Sequence, residues 1–407
     1  MPCHCITGDC SSCSCQTANT RCTPACHGGN INRSCVNTSM LTKAKFLIFV
    51  TGSVTLICGV IVQYITSDPI GFITRSQRNL KRSDILASTL QTSTVSSIEL
   101  NRLIKDGKFV SRNDLEAQIK YILSRTEPIG KYFIVYGAKG EGKSMILDYS
   151  VKGHTGVAKI FVTSANTKDD IIKSLAKLCD TDDDNVDIND FVTALSKGSL
   201  GNNKMLTIVF EIERGGALDQ VSGVQAVRSL AKSFATVANC IIILSEATAV
   251  LEFGKDSARE KFIFVPGFSD IEARDYLKKL KLVVDDTEIS YIFENIGTSP
   301  AMLRDMEDKI NNEGWTVEDY VENKLAEARR ELIAFSLKPI LAALKENLDG
   351  VGPEFFKNSK YEGVDLSDPR AVGLKMKDSN AIIYRIEKRQ YQLISKAHEI
   401  ALKSYMP

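Results

Sequence analysis

The octet Gly137-Ala138-Lys139-Gly140-Glu141-Gly142-Lys143-Ser144 constrains this 407-residue chain more than any other feature. It satisfies G-x-x-x-x-G-K-[ST] in full, follows the apolar run KYFIVY (131–136), and precedes SMILDYS, which can start a helix. That strand–loop–helix setting separates a phosphate-binding loop (P-loop) from a chance glycine-rich turn. Glycines let the loop fold back so that successive backbone N–H groups point inward at phosphate oxygens. The helix that follows adds the positive end of its dipole at the same spot. Lys143 is then placed to reach the β- and γ-phosphates, and the Ser144 hydroxyl to reach Mg²⁺. The expected ligand is a nucleoside triphosphate, ATP with Mg²⁺, held by residues Gly137 to Ser144 with Met145 at the helix start.

A loop of this kind belongs to a parallel α/β sheet, and the flanking sequence supplies one. Five short runs rich in Ile, Val and Phe, at 131–136, 157–162, 206–210, 240–244 and 261–265, read as strands buried on both faces. Amphipathic stretches separate them, with Val224, Val227, Ala231, Phe234 and Ala238 at helical spacing. After Leu280 the pattern turns helical throughout. From Gly352 onward, AIIYRI (381–386) and YQLIS (391–395) flank a basic turn and predict a hairpin followed by a terminal helix.

A carboxylate able to hold Mg²⁺ is expected at the end of a strand near the loop. The run LTIVF ends in Glu211-Ile212-Glu213, whose two acids share a face if the strand continues. Glu211 is the candidate metal residue with Ser144, and Glu213 the candidate for positioning an attacking water. The alternative is that one or both are solvated strand-end acids. A run of aspartates at 180, 182 and 184 imitates a calcium loop, but Asn185 and Phe191 stand where glycine and glutamate are needed, so it reads as an acidic surface loop.

The order of these motifs resembles the STAND and AAA+ branch of P-loop ATPases. Phe109-Val110-Ser111-Arg112 followed by NDLEAQIKYIL is similar to the F-V-G-R-E-x-E-L box of that branch, with Ser111 in place of glycine. The likeness implies that Arg112 and its neighbours border the adenine, that Ser245 at the end of the fourth strand senses the γ-phosphate, and that Arg259 faces a neighbouring nucleotide. Arg259 is equally placed to pair with Asp256 or Glu260. Gly297-Thr298-Ser299-Pro300 resembles the turn of the helical lid, and the final hairpin resembles the wing of a winged helix. More narrowly, EIERGG, LSEATAVLEFGKDSARE and FVPGFSDIEARDYL are similar to the ATPase module of Crinkler-type effectors and retrotransposon hot spot proteins.

The N-terminus departs from this pattern. Eight of the eleven cysteines fall within the first 35 residues. Their spacings suit disulfides, zinc or acylated thiols, or an extension without a defined role. Next, the uncharged run Phe46–Ser67 is long enough, at roughly 33 Å as a helix, to cross a bilayer. Basic residues after it slightly favour a cytoplasmic C-terminal side.

The expected organisation is a Cys-rich segment (1–45), a transmembrane helix (46–67), a polar linker (68–105), a P-loop ATPase core (106–282), a helical lid (283–348) and a winged-helix-like domain (349–407). A net charge of +1 points to neither nucleic acid nor membrane. The function expected is a membrane-anchored ATPase or ATP-driven switch, read by a protein partner or through self-association. The alternatives are a nucleic-acid-associated ATPase using Lys388 and Arg389, or a scaffold that binds ATP without turning it over.

Overall fold

The computed structural model describes residues 69–163, 165–181, 186–212, 220–244, 253, 258–282, 284–375 and 381–405. The Cys-rich segment and the apolar run 46–67 lie outside them, as do Glu213 and Ser245. Among the described residues no helix is long and apolar enough to cross a membrane.

Five strands form one parallel sheet: β1 (Tyr132–Tyr136), β2 (Val157–Val162), β3 (Thr207–Ile212), β4 (Asn239–Leu244) and β5 (Glu260–Phe264). Their spatial order is β2-β3-β4-β1-β5. Residues of β1 and β4 are buried throughout, as a parallel sheet covered on both faces requires. Alternation sorts the side chains. Ile134, Phe210 and Ile242 face one apolar core, and Phe133, Val135, Val209 and Ile243 face the other.

The first of these faces is covered by α5 (Lys168–Leu178), α6 (Ile188–Asn202) and α7 (Gln220–Phe234), with part of α1 (Pro69–Thr92). The second is covered by α3 (Asn113–Leu123) and α4 (Lys143–Val151). Between α1 and α3 lies α2 (Ile98–Lys105), capped by the Ser97 hydroxyl.

The segment expected to be a linker is therefore helical. Its Ser- and Thr-rich composition conceals a sparse apolar stripe, Leu86, Ala87 and Leu90, which is buried in the first core. Gln91 also donates to the Gly198 carbonyl at 2.9 Å, fastening α1 to α6.

A second body follows the sheet: α8 (Asp270–Lys279), α9 (Asp286–Asn295), α10 (Pro300–Glu313), α11 (Val317–Ala334) and α12 (Lys338–Glu346). After a 3₁₀ turn (Pro353–Phe356) come a small hairpin of β6 (Lys360–Tyr361) and β7 (Val364–Asp365), then α13 (Pro369–Lys375). A second hairpin, β8 (Ile382–Arg385) and β9 (Gln390–Leu393), leads to α14 (Lys396–Tyr405). One continuous core runs from Ala273 and Tyr276 of α8 to Leu402 of α14. Packing thus joins the expected lid and C-terminal domain, and it begins at α8 rather than at residue 283. The hairpin and terminal helix form where the alternating and helical patterns place them. Arg385 of β8 lies 3.3 Å from the ring centroid of Phe264 on β5, so the hairpin leans on the sheet edge.

If α1 is part of the core, Leu86→Ala, at a fully buried site, lowers stability by about 2–4 kcal/mol in chemical denaturation. A change under about 0.5 kcal/mol, the usual effect of a surface substitution, would make α1 a detachable linker.

Candidate functional site

The loop 137–144 leaves the carboxyl end of β1 and enters α4, and its shape depends on missing side chains. Gly140 (φ +88°) and Gly142 (φ +80°) are left-handed, a conformation that strains other residues. A Cβ on Gly137 would stand 2.3 Å from the Val265 carbonyl oxygen beyond β5, and one on Gly140 would stand 2.5 Å from Ala301 Cβ in α10. The loop is thus pressed between the end of β5 and α10. Lys143 turns back into it, donating to the carbonyls of Gly137 at 3.1 Å and Ala138 at 2.6 Å.

The Ser144 hydroxyl donates to Glu211 Oε1. Strand β4 separates β3, which carries Glu211, from β1, which leads into the loop, and the register sets Glu211 beside Ile243. Alternation turns Glu211 to the same face as Val209, the face covered by α4. A hydroxyl and a carboxylate oxygen therefore meet beside the loop, an all-oxygen pair suited to a hard cation such as Mg²⁺. Glu211 Oε2 lies 2.6 Å from Lys159 Nζ, which also lies 2.7 Å from Asp148 Oδ1.

In front of the loop a cleft of about 780 Å³ opens between α2 and α10. Gly140, Lys143, Ser144 and Met145 line one wall, and Tyr276 and Arg304 another. A cavity of several hundred Å³ is the size that small-molecule ligands occupy.

Behind the cleft sits a buried tie. Arg112, 5% exposed, donates to the Glu141 carbonyl at 3.2 Å and to the Gly267 carbonyl at 2.7 Å. It also lies over the Phe268 ring. Phe268 and Thr298 exchange hydrogen bonds, which joins the loop after β5 to the lid turn. Ser111, the residue in place of glycine, donates to Glu116, whose carboxylate also accepts from the Arg112 N–H at the start of α3. Burial pushes the Glu141 carboxyl up to about 7, against Lys143, a Ser299 hydrogen bond and Arg112. Burial likewise pulls Lys143 down to about 8, against Glu141 and Glu211.

The structure brings together Gly137 to Met145, Glu211 and, one layer behind, Arg112. Lys139 is exposed at the loop's outer edge. Arg259 lies apart: its carbonyl accepts from Tyr132 N–H at the amino end of β1, opposite the loop. Strands of this length put that end roughly 15 Å from the loop, so Arg259 cannot act on a ligand held by its own chain. Phe109 of the upstream box stacks on Tyr149 of α4 with ring centroids 4.3 Å apart. Sequence reasoning passed over two residues. Arg304, whose ion pair with Glu99 spans 2.9 Å, projects from α10 into the cleft wall. The second is Lys159, which stands in the middle of a strand read as apolar.

No family model matches the chain, and no curated protein matches it. Solved structures do. A Walker-type ATPase of Pyrococcus abyssi is similar over 72% of this chain and 96% of its own, at 15% identity and a TM-score of 0.48. The Aeropyrum pernix ORC1 protein, solved in complex with DNA, covers 73% and 93% at 14% identity and a TM-score of 0.36. A STAND protein of Pyrococcus horikoshii with a tetratricopeptide repeat sensor covers 78% and 44% at 11% identity and a TM-score of 0.34. Likenesses this distant leave the chemistry of the site to its own atoms.

The buried fork of Arg112 gives a direct test of the tie. Lys keeps the charge but cannot reach two carbonyls in one plane, so Arg112→Lys lowers stability by about 1–3 kcal/mol in thermal melting. An unchanged melting temperature would show that the two carbonyls are satisfied without the guanidinium.

Proposed function

We propose that this chain is a membrane-anchored ATP-binding protein of the STAND/AAA+ type, a Mg²⁺-dependent ATPase whose nucleotide state shifts the lid and C-terminal body against the sheet. One observation carries the reading. A glycine loop with two left-handed residues, an ammonium and a hydroxyl–carboxylate pair converge at the mouth of one cleft.

Each residue has a role in that reading. The loop N–H groups and the amino end of α4 receive the phosphates. Lys143 exchanges two neutral carbonyls for phosphate oxygens, which bind an ammonium more strongly. Ser144 and Glu211 hold Mg²⁺, which neutralises phosphate charge when bound. Arg304 approaches from the lid, so phosphate charge draws α10 towards the loop. The Gly140–Ala301 contact and the Arg112 tie then pass a change in the loop to the second core.

The anchor in this proposal is the run 46–67, with the ATPase body on the cytoplasmic side. The narrower kinship to Crinkler-type and retrotransposon hot spot modules belongs to the same reading. Contact with nucleic acid through Lys388 and Arg389 is the weaker alternative, because Arg385, the third cation of that hairpin, is engaged with Phe264.

Two outcomes follow. Lys143→Ala loses ATP affinity on the order of 100-fold in equilibrium binding, whereas Glu211→Gln keeps most of the binding and loses phosphate release. Unchanged affinity in the first variant would remove the reading. The second outcome concerns pH. In the free protein Lys143 loses its proton near pH 8, while bound phosphate keeps it charged, so binding takes up a proton above that pH. ATP affinity therefore falls by up to about ten-fold per unit as pH rises above about 8. A flat profile to pH 9.5 would show that Lys143 stays charged in the free loop.

A further inference from the structure

Lysine is rarely buried unless paired, yet Lys159 occupies the middle of β2 with its side chain only 7% exposed. The register pairs it with Val209, so alternation turns it to the same face as Glu211 and towards α4. Two carboxylates meet it there. Asp148 of α4 lies 2.7 Å away and is as buried as the lysine; Glu211 of β3 lies 2.6 Å away. Asp148 alone would neutralise a structural lysine. The second contact does something else, because Glu211 also accepts the Ser144 hydroxyl. Ser144–Glu211 and Lys159–Asp148 are hydrogen-bonded, and the two pairs meet in the close Lys159–Glu211 ion pair, whose carboxylate oxygen Oε2 is buried without a hydrogen-bond donor aligned on it.

We infer that Lys159 is the resident counter-cation of the metal site: it holds Glu211 in place without metal and sets how much Mg²⁺ the site requires. This rests on the ATP–Mg²⁺ reading above. A carboxylate already paired with an ammonium offers a divalent cation less negative potential. Two positive charges beside one carboxylate in a poorly solvated site also repel each other strongly. Mg²⁺ therefore competes with Lys159 for Glu211. On its other side the Lys159–Asp148 pair lines a second cleft, of about 630 Å³, between β2 and residues 92–99. That cleft gives the ammonium room to withdraw without disturbing the sheet. Asp148 is the partner that draws it back, so the two carboxylates divide the lysine between them. Lys159 is accordingly a positioning residue, acting on the metal through Glu211.

The test uses the full chain and a methylanthraniloyl-labelled ATP at fixed concentration, titrated with MgCl₂ while fluorescence reports binding. Lys159→Gln/Asp148→Asn removes both charges of the pair and leaves two amides able to bond each other. Its Mg²⁺ midpoint falls about ten-fold below that of the unaltered protein. Asp148→Asn alone leaves Lys159 wholly on Glu211 and shifts the midpoint upward. Lys159→Arg, which keeps the charge, restores the original midpoint. Binding in EDTA is measured for each variant alongside, so that the Mg²⁺ midpoint is read separately from metal-free affinity. Melting curves establish that each variant is folded, and Lys159→Met, which strands the buried Asp148, is the one expected to lose stability. Unshifted midpoints in folded variants, or shifts of the opposite sign, overturn the inference. If the unaltered protein binds no labelled ATP at any Mg²⁺ concentration, the ATP reading itself fails.

Discussion

The close approach of the 137–144 backbone to its surroundings governs the rest of the molecule. The loop lies against the Val265 carbonyl on one side and Ala301 on the other, at distances that leave no room for a Cβ. Only glycine permits both contacts, and two of the loop's glycines also need the left-handed region. The loop thus touches the end of β5 and α10 together. The same glycines that shape the loop bring it against both neighbours.

Arg112 extends this coupling. Its guanidinium bridges the Glu141 and Gly267 carbonyls, and the residue after Gly267 is hydrogen-bonded to Thr298 at the lid turn. Beyond that turn one apolar core continues to the terminal helix and joins the helices and hairpins of the second body. Glu141 and Lys143 are the stressed part of the arrangement. Each is buried, and burial drives both towards their neutral forms. Such a site gains from a polyanion, which favours the charged lysine, and this argues for an arriving phosphate over an apolar ligand.

Much of this was legible in the sequence, for physical reasons. All five strands appear as short apolar runs because a parallel sheet covered on both faces cannot alternate. The P-loop is legible because its glycines are required by geometry. Glu211 follows from strand period and position. Other features were hidden. The first helix hides behind serines and threonines, with its buried residues Leu86, Ala87 and Leu90 too sparse to show a period. Nothing local shows that α8 leaves the sheet for the second core, since its spacing is that of any amphipathic helix. A lysine in an edge strand normally reads as a guard against strand pairing. Only folding brings Asp148 and Glu211, 63 residues apart, to either side of Lys159.

The most direct measurement is a crystal structure of the chain with Mg²⁺ and a non-hydrolysable ATP analogue. The account predicts triphosphate within the loop 137–144, Lys143 Nζ moved from the Gly137 and Ala138 carbonyls onto phosphate oxygens, and Mg²⁺ beside Ser144 and Glu211. Nucleotide bound elsewhere, with Lys143 still on those carbonyls, would contradict it.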